Sequence, residues 1–149
     1  MAQRGSPLNM EFVLDSSVTM SWFFDDEATA ATDELLDRLN SDGRAIVATH
    51  WALEVSNTLL MAERRKRSTV AESSHFLAIL GALPIETDHE TVSRAGTSSM
   101  ELARTQGLTL YDSAYLELAM RRGLPLATLD KQLRAASKKT GVPCLPKEF

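Results

Sequence analysis

The chain has 149 residues, of which 44% are hydrophobic and 24% are charged, and its formal net charge at pH 7 is −4. That composition is typical of one globular domain, and no apolar run approaches the roughly 20 residues of a membrane-spanning helix. A net negative charge argues against a protein that coats nucleic acid over a basic surface. The single cysteine, Cys144, excludes an internal disulfide and a cysteine-rich metal site, and it favours the cytoplasm.

The first nine residues differ from the rest of the chain. Residues 1–9 are polar, contain Gly5 and Pro7, and lack the apolar segment of a signal peptide. They predict a disordered leader or an expression remnant. Residues 10–149 contain no internal repeat, low-complexity tract or linker, so we predict that they form a single domain.

Short apolar runs alternate along the chain with longer segments that carry apolar residues at helical spacing. In chain order, these patterns predict a strand at 11–14, helices at 18–24 and 28–39, a strand at 45–48, helices at 50–67 and 69–80, a strand at 83–86, helices at 87–105 and 112–122, a strand at 126–129, a helix at 131–139 and an edge strand at 142–145. This alternation predicts an α/β fold, a three-layer α/β/α sandwich around a mostly parallel sheet of four or five strands.

Three aspartates, Asp15, Asp112 and Asp130, stand where an apolar run gives way to a helix. Ligands of such folds bind beyond the carboxyl ends of the strands. Glu54, about one turn into the helix after the second strand, is able to face the same edge. Four converging carboxylates repel one another, and Mg²⁺ or Mn²⁺ relieves that repulsion. The pattern therefore predicts an acidic metal site suited to phosphodiester hydrolysis.

Helix capping is a simpler explanation for some of these acids. An aspartate before a helix commonly accepts hydrogen bonds from the free backbone N–H groups there, and this explanation applies to Asp112 and Asp130. It fits Asp15 less well, because Ser16 and Ser17 already offer capping oxygens.

Capping does not explain Glu54. This residue lies in the apolar segment Trp51 to Val55, where an unpaired carboxylate is costly in free energy. Asn57 is three residues further along and shares the same helix face. We therefore predict that Asn57 supports the site by bonding Glu54 or a metal-bound water.

Four short segments make the interpretation more specific. They are 12–17 (FVLDSS), 54–57 (EVSN), 110–115 (LYDSAY) and 126–130 (LATLD). In this order and at these separations, they resemble the PIN-domain family, and within it the VapC toxins of bacterial toxin–antitoxin pairs. The resemblance extends from about Met10 to Pro146, and the segment 110–115 is its most distinctive part.

The resemblance implies a PIN-like sandwich, cleavage of RNA that depends on Mg²⁺ or Mn²⁺, homodimers, and inhibition by a small VapB-like antitoxin. Ser17 and Thr128 match positions that support the site by hydrogen bonding. The last acidic position varies within the family. Matched residue by residue, the catalytic metal ligands are Asp15, Glu54, Asp112 and Asp130.

Two basic residues, Lys131 and Arg134, follow Asp130 closely and are predicted to meet the RNA substrate. The basic group at 64–67 is better explained as a solvated helix end, because cations suit the C-terminus of a helix. The three histidines show no ligand spacing, and none is predicted to act as a general base; they are His50, His75 and His89.

Two other functions are compatible with strand-end acids. A phospho-receiver signalling module also binds Mg²⁺ there, but it requires paired acids after the first strand, whereas Asp15 is followed by Ser16 and Ser17. The second is an inactive PIN-like domain that acts only by binding a partner. All four acids are present, so the sequence does not favour a loss of activity.

Overall fold

The computed structural model describes residues 11–148, so the leader predicted at residues 1–9 lies outside the described residues. Strands and helices alternate through this range. The strands are β1 (Glu11–Leu14), β2 (Arg44–Val47), β3 (Ile85–Thr87), β4 (Leu126–Ala127) and β5 (Cys144–Leu145). The helices are α1 (Ser16–Ser21), α2 (Ala30–Leu39), α3 (Trp51–Arg64), α4 (Val70–Gly81), α5 (Thr91–Arg94), α6 (Met100–Gln106), α7 (Leu110–Arg122) and α8 (Lys131–Thr140), with a π-helical segment (Ala95–Ser99) between α5 and α6.

The five strands form one parallel sheet in the spatial order β3–β2–β1–β4–β5. The central strand β1 pairs on both sides, so Val13 lies opposite Ile46 of β2 and Leu126 of β4. Phe12, Val13 and Leu14 are all fully buried, as expected of a parallel strand with both faces covered. Because the strands are parallel, their carboxyl ends meet at one edge of the sheet.

Helices cover both faces of this sheet, and side chains alternate between two cores. On one face, Val13 and Ile46 pack with Leu116 of α7 and Leu133 of α8. On the other face, the core joins β1 and β2 to α1 and α2 through Phe12, Leu14, Val18, Leu35, Ala45 and Val47. A third cluster packs α3 and α4 against the end of α1. This arrangement confirms the predicted three-layer α/β/α sandwich with a parallel sheet.

Local sequence explains where most helices begin and end. Threonine hydroxyls accept backbone N–H groups at the start of α2, α4 and α7; these residues are Thr29, Thr69 and Thr109. Glycines in the left-handed conformation end α6, α7 and α8; these residues are Gly107, Gly123 and Gly141. No helix within residues 11–148 is both long enough and apolar enough to cross a membrane.

The continuous helix predicted at 87–105 is wrong. Thr87 still belongs to β3, and helix α5 begins only at Thr91, whose hydroxyl donates to the Asp88 carboxylate over 2.8 Å. The π-helical segment then separates α5 from α6 and contains glycine, serine and threonine, which have weak helix preferences. Its last residue, Ser99, accepts a 2.6 Å hydrogen bond from the Ser113 hydroxyl, which fixes the segment against α7.

Candidate active site

The predicted acidic residues are carried by neighbouring elements at the carboxyl edge of the sheet. Asp15 follows β1 directly, and Asp130 follows the adjacent strand β4 after two residues. Asp112 lies in the first turn of α7, and Glu54 lies in the first turn of α3. The charges are close enough to act on one another, since Asp15 senses Asp112, and Asp112 senses Asp130 and Glu54. We call these four residues the acidic site.

Asp15 is the most deeply placed of the four, with 4% of its surface exposed. Its Oδ1 accepts hydrogen bonds from the Ser17 hydroxyl at 2.7 Å and from the Val18 backbone N–H at 3.1 Å. Asp15 is therefore itself the N-cap of α1, and the expectation that Ser16 or Ser17 performs this capping is wrong. Burial raises the pKa of Asp15 to about 6. Hydrogen bonds from Thr128, Ser17 and Val18 lower this pKa, but by less than burial raises it.

Ser17 and Thr128 connect the ends of β1 and β4 around Asp15. The Ser17 hydroxyl donates to Asp15 and accepts the Leu129 backbone N–H at 2.9 Å. The Thr128 hydroxyl hydrogen-bonds Asp15 and accepts the Asp130 backbone N–H at 3.1 Å. Of the three residues predicted to support the site, Ser17 and Thr128 therefore contact Asp15, and their hydrogen bonds link the ends of the two strands.

Asp112 does not cap a helix, contrary to the alternative offered by its sequence. Helix α7 begins two residues earlier, at Leu110, and its cap is Thr109, whose hydroxyl accepts the Asp112 backbone N–H at 3.2 Å. The Asp112 carboxylate hydrogen-bonds the side chain of the same Thr109 and is partly buried beside the other acids. Burial raises its pKa, and the charges of Asp130 and Glu54 raise it further.

Glu54 is held by a residue that the sequence did not single out. Its Oε1 accepts a 2.6 Å hydrogen bond from the hydroxyl of Tyr115, a buried side chain on α7. His50, one turn earlier, places Nε2 3.9 Å from the same oxygen. Asn57, the predicted partner of Glu54, is exposed and makes no hydrogen bond to it within residues 11–148. The expected Glu54–Asn57 hydrogen bond is therefore absent from the structure.

His50 and Tyr115 form an aromatic support behind Glu54. Their ring centroids are 4.9 Å apart, and burial, followed by the nearby charge of Glu54, raises the pKa of Tyr115. The sequence carried a weak signal for both residues. His50 stands four residues before Glu54, and Tyr115 stands three residues after Asp112, so each shares a helix face with an acid.

Asp130 performs the capping role that was considered for it. Its Oδ1 accepts the Leu133 backbone N–H at 2.9 Å at the start of α8, and the residue is exposed. Capping and a role in the site are compatible, because a carboxylate has two oxygens and several lone pairs. The Asp130 charge also lies close enough to Asp112 to raise the pKa of that carboxyl.

Arg134, which was predicted to contact RNA, makes hydrogen bonds within the chain. Its guanidinium donates to the backbone carbonyls of Thr128 at 2.8 Å and Pro146 at 2.7 Å, and also to Lys147 at 3.2 Å. These bonds fasten the C-terminal segment to the end of β4, so its donors serve the fold. Lys131, the other residue predicted to meet RNA, is exposed and adjacent to Asp130.

The side chains of the acidic site are suited to a hard divalent cation. In the described part of the chain, they do not form the ion pairs with lysine or arginine that are typical of acids with a structural role. Oxygen ligands are those that Mg²⁺ and Mn²⁺ prefer. Within residues 11–148, none of the four carboxylates forms an ion pair with lysine or arginine. In the same range, no three side chains that could ligate a metal converge on one point, since Glu54 is directed to Tyr115 and Asp130 to Leu133.

Comparison with known proteins agrees with this geometry. The PIN domain family model matches residues 12–139. The chain belongs to the PIN-domain family. Ribonuclease VapC3 of Pyrobaculum aerophilum is 30% identical over 128 residues, which are 83% of this chain and 92% of that protein, so the chain is a PIN domain of the VapC type. This family assignment replaces the phospho-receiver interpretation.

Solved PIN structures share the fold at low identity. VapBC2 from Rickettsia felis, crystallised with a DNA fragment from its promoter, aligns with a TM-score of 0.62 and 14% identity, over 91% of this chain and 97% of that one. VapC20 from Mycobacterium tuberculosis, described as a toxin that cleaves the sarcin–ricin loop, aligns with a TM-score of 0.60 and 15% identity, over 84% of this chain and 94% of that one. These likenesses show a common architecture.

Proposed function

We propose that this PIN domain is a VapC-type ribonuclease toxin that hydrolyses RNA phosphodiester bonds with Mg²⁺ or Mn²⁺. One observation carries the proposal: the carboxylate of Asp15 is buried at the carboxyl edge of the sheet, and within residues 11–148 it forms no ion pair with lysine or arginine. A protein stabilises such an arrangement with a bound cation. The name of the relative, Ribonuclease VapC3, supports RNA as the substrate.

The proposed metal ligands are the residues of the acidic site, Asp15, Glu54, Asp112 and Asp130. When bound, the cation lowers the pKa of a water and stabilises the leaving oxygen. The chain's own contribution is to hold the carboxylates in place. Ser17 and Thr128 orient Asp15, and Tyr115 orients Glu54. In this proposal Lys131, exposed beside Asp130, meets the phosphates of the substrate.

We further propose that the protein acts in the cytoplasm as a homodimer and is neutralised by a VapB-like antitoxin. The support for a protein partner is the fold shared with VapBC2, which was crystallised as a two-component complex on promoter DNA. Leucines on α3 and α4 are exposed and offer apolar surface to such a partner; they are Leu53, Leu60 and Leu77.

The decisive experiment is cleavage of RNA oligonucleotides by the purified chain with Mg²⁺, with Mn²⁺ or with EDTA. We expect cleavage with either metal and none with EDTA. The variants Asp15→Asn and Asp112→Asn keep the shape of the side chain but remove its charge, so we expect each to lower the rate by about 100-fold or more.

The matched control is Asp37→Asn, which removes an exposed aspartate on α2. It is expected to cleave at the wild-type rate. Equal cleavage by all three variants would identify a contaminating nuclease and reject the assigned site. A wild-type protein that binds its antitoxin but cleaves no RNA would instead support an inactive binding domain.

A further inference from the structure

Tyr111 is an exposed aromatic side chain directly beside the acidic site. It precedes Asp112 in the first turn of α7, and 63% of its surface is exposed. The other large apolar side chains that are exposed in residues 11–148 are aliphatic. The Tyr111 ring centroid lies 5.5 Å from that of His50, and His50 Nε2 lies 3.9 Å from Glu54 Oε1, so the ring stands at the edge of the acidic site.

His50 supports Tyr111 from behind. Its Nε2 lies 3.1 Å from the Tyr111 carbonyl oxygen, and the two ring centroids are 5.5 Å apart in an edge-on arrangement. The His50 ring in turn packs on Tyr115, which holds Glu54. Three rings therefore run from the buried interior to the surface, and the outermost is held in position while remaining open to solvent.

We propose that Tyr111, supported by His50, stacks on an unpaired base of the RNA next to the phosphodiester bond that is cleaved. The proposal rests on the ribonuclease function proposed above, and it adds a binding site to the four carboxylates. Every base has a π-face, so stacking on tyrosine tolerates any sequence but requires a base that is free of its duplex. A ring that is already fixed loses little conformational entropy when a base stacks on it.

The position of Tyr111 favours RNA over a protein partner. Any partner that covers this ring also meets the neighbouring carboxylate of Asp112, whose pKa burial and nearby negative charges already raise. A protein surface covering that carboxylate must desolvate it. A nucleotide whose phosphate would reach the acidic site through a cation would leave that carboxylate paired with the cation, and it would present its base beside the phosphate.

The test compares three substitutions of Tyr111 in steady-state cleavage of a single-stranded RNA of mixed sequence with Mg²⁺. Tyr111→Ala should raise KM about tenfold while kcat changes little, because the loss of one stacked base weakens binding by that order. Tyr111→Phe keeps the π-face and should restore KM to within about twofold, whereas Tyr111→Leu should resemble the alanine variant. The matched control is Met120→Ala, an exposed apolar residue nine positions further along the same helix.

A second measurement detects the stack itself. The non-cleaving Asp15→Asn protein is mixed with the same RNA carrying 2-aminopurine at one position at a time, with and without Tyr111→Ala. Stacking quenches this fluorophore, so one position should be quenched only when Tyr111 is present. A fully base-paired RNA of the same sequence should show no quenching that depends on Tyr111.

Three results would overturn the proposal while leaving the ribonuclease function intact. They are an unchanged KM in Tyr111→Ala, a fall in kcat alone, and a loss of self-association or antitoxin binding with RNA binding unchanged. The second would make Tyr111 a positioning residue for Asp112, and the third would make it a protein contact. Failure of the wild-type protein to cleave RNA rejects the ribonuclease function itself, and the stacking site with it.

Discussion

Residues 11–148 contain two groups of acidic side chains, each built around a buried aspartate, and only one of the two groups includes an arginine. The acidic site gathers its carboxylates without lysine or arginine in the described residues. A second group, which we call the arginine cluster, consists of Asp88, Glu117 and Arg121. The two groups lie in the same fold and contain the same chemical type of acid. Comparing them therefore shows how a paired arginine changes the behaviour of a buried carboxylate.

In the arginine cluster, the guanidinium of Arg121 hydrogen-bonds two carboxylates and also forms a longer ion pair, at 3.5 Å, with the exposed Glu90. It bonds Asp88 through both terminal nitrogens, at 3.1 and 2.8 Å, and it bonds Glu117 at 3.0 and 3.1 Å. Asp88 is only 2% exposed. Burial opposes its ionisation, but the hydrogen bonds from Arg121 and Thr91 outweigh that effect and lower its pKa.

The opposite pKa shifts of Asp15 and Asp88 separate two uses of a buried carboxylate. At neutral pH, a charge that is matched by arginine stabilises the fold, whereas a charge left without a cation costs free energy. A protein retains such a cost mainly where the group binds something or reacts. This difference supports our proposal that the acidic site is the functional region, whereas the arginine cluster has the contacts of a structural group.

The arginine cluster also supports the acidic site from a distance. The Asp88 backbone N–H donates to Val47 at the end of β2, and the Asp88 carbonyl accepts the Thr49 hydroxyl. The Thr49 backbone N–H donates to Thr91. These bonds fix the chain just before α3, the helix that carries Glu54.

The largest expected effect breaks the arginine cluster. Arg121→Ala leaves Asp88 and Glu117 buried without their cation, and we expect it to lower the free energy of unfolding by about 3 kcal/mol or more. The measurement is equilibrium unfolding in urea at neutral pH, followed by circular dichroism.

The neighbouring arginine provides the control for that substitution. Arg122 makes one longer ion pair, at 3.4 Å to Glu86, with both side chains partly exposed. Arg122→Ala should therefore cost less than about 1 kcal/mol. Similar losses for both variants would mean that the cluster is no more than a surface ion pair and would remove the contrast with the acidic site.

The features that depend on local sequence pattern could be predicted from the sequence alone. The alternation of strands and helices led to the α/β/α sandwich, and strand ends led to Asp15 and Asp130. The helix around Asp112 began earlier than predicted because Leu110 and Tyr111, a short apolar pair, fit a strand or a helix equally well. Only the structure shows that Thr109, rather than Asp112, is the N-cap of this helix.

The partners of the acids depend on contacts between distant residues, so sequence did not reveal them. Asp88 and Arg121 are 33 positions apart, and Glu54 and Tyr115 are 61 apart. No period or motif connects such pairs in a single sequence. Arg134 shows the converse case: it stands near Asp130 in the sequence and suggested an RNA contact, but tertiary structure directs it to backbone carbonyls.

The next prediction uses pH to sharpen the contrast between Asp15 and Asp88. The pKa of Asp15 is about 6 in the fold and 3.8 in the reference state, so its ionisation destabilises the fold above pH 6. This cost disappears as the pH falls from 6 towards 4. Asp15→Asn should therefore raise the free energy of unfolding by up to about 3 kcal/mol at pH 7.5, and the gain should vanish near pH 4.

Asp88→Asn should change the free energy of unfolding in the opposite direction. The pKa of Asp88 is lowered in the fold, so its ionised form stabilises the protein above the ordinary range of an aspartate, and this stabilisation is lost as the pH falls through the lowered pKa. The variant should be less stable than the wild type at neutral pH and approach it in acid. Urea unfolding at a series of pH values measures both variants, and a shared sign would show that the two sites do not differ as described.

The smallest expected effect concerns Mg²⁺. A cation that binds the acidic site of the folded chain stabilises it by mass action, and about 10 mM MgCl₂ should add about 1 kcal/mol if the dissociation constant is in the millimolar range. Asp112→Asn should lose this response, whereas Arg122→Ala should keep it, since Arg122 lies outside the acidic site. Sodium chloride of the same ionic strength controls for screening, which weakens charge repulsion without a specific site. If sodium chloride reproduces the whole effect in the wild type, the acidic site repels charge but does not bind a metal, and its difference from the arginine cluster is one of electrostatic cost alone.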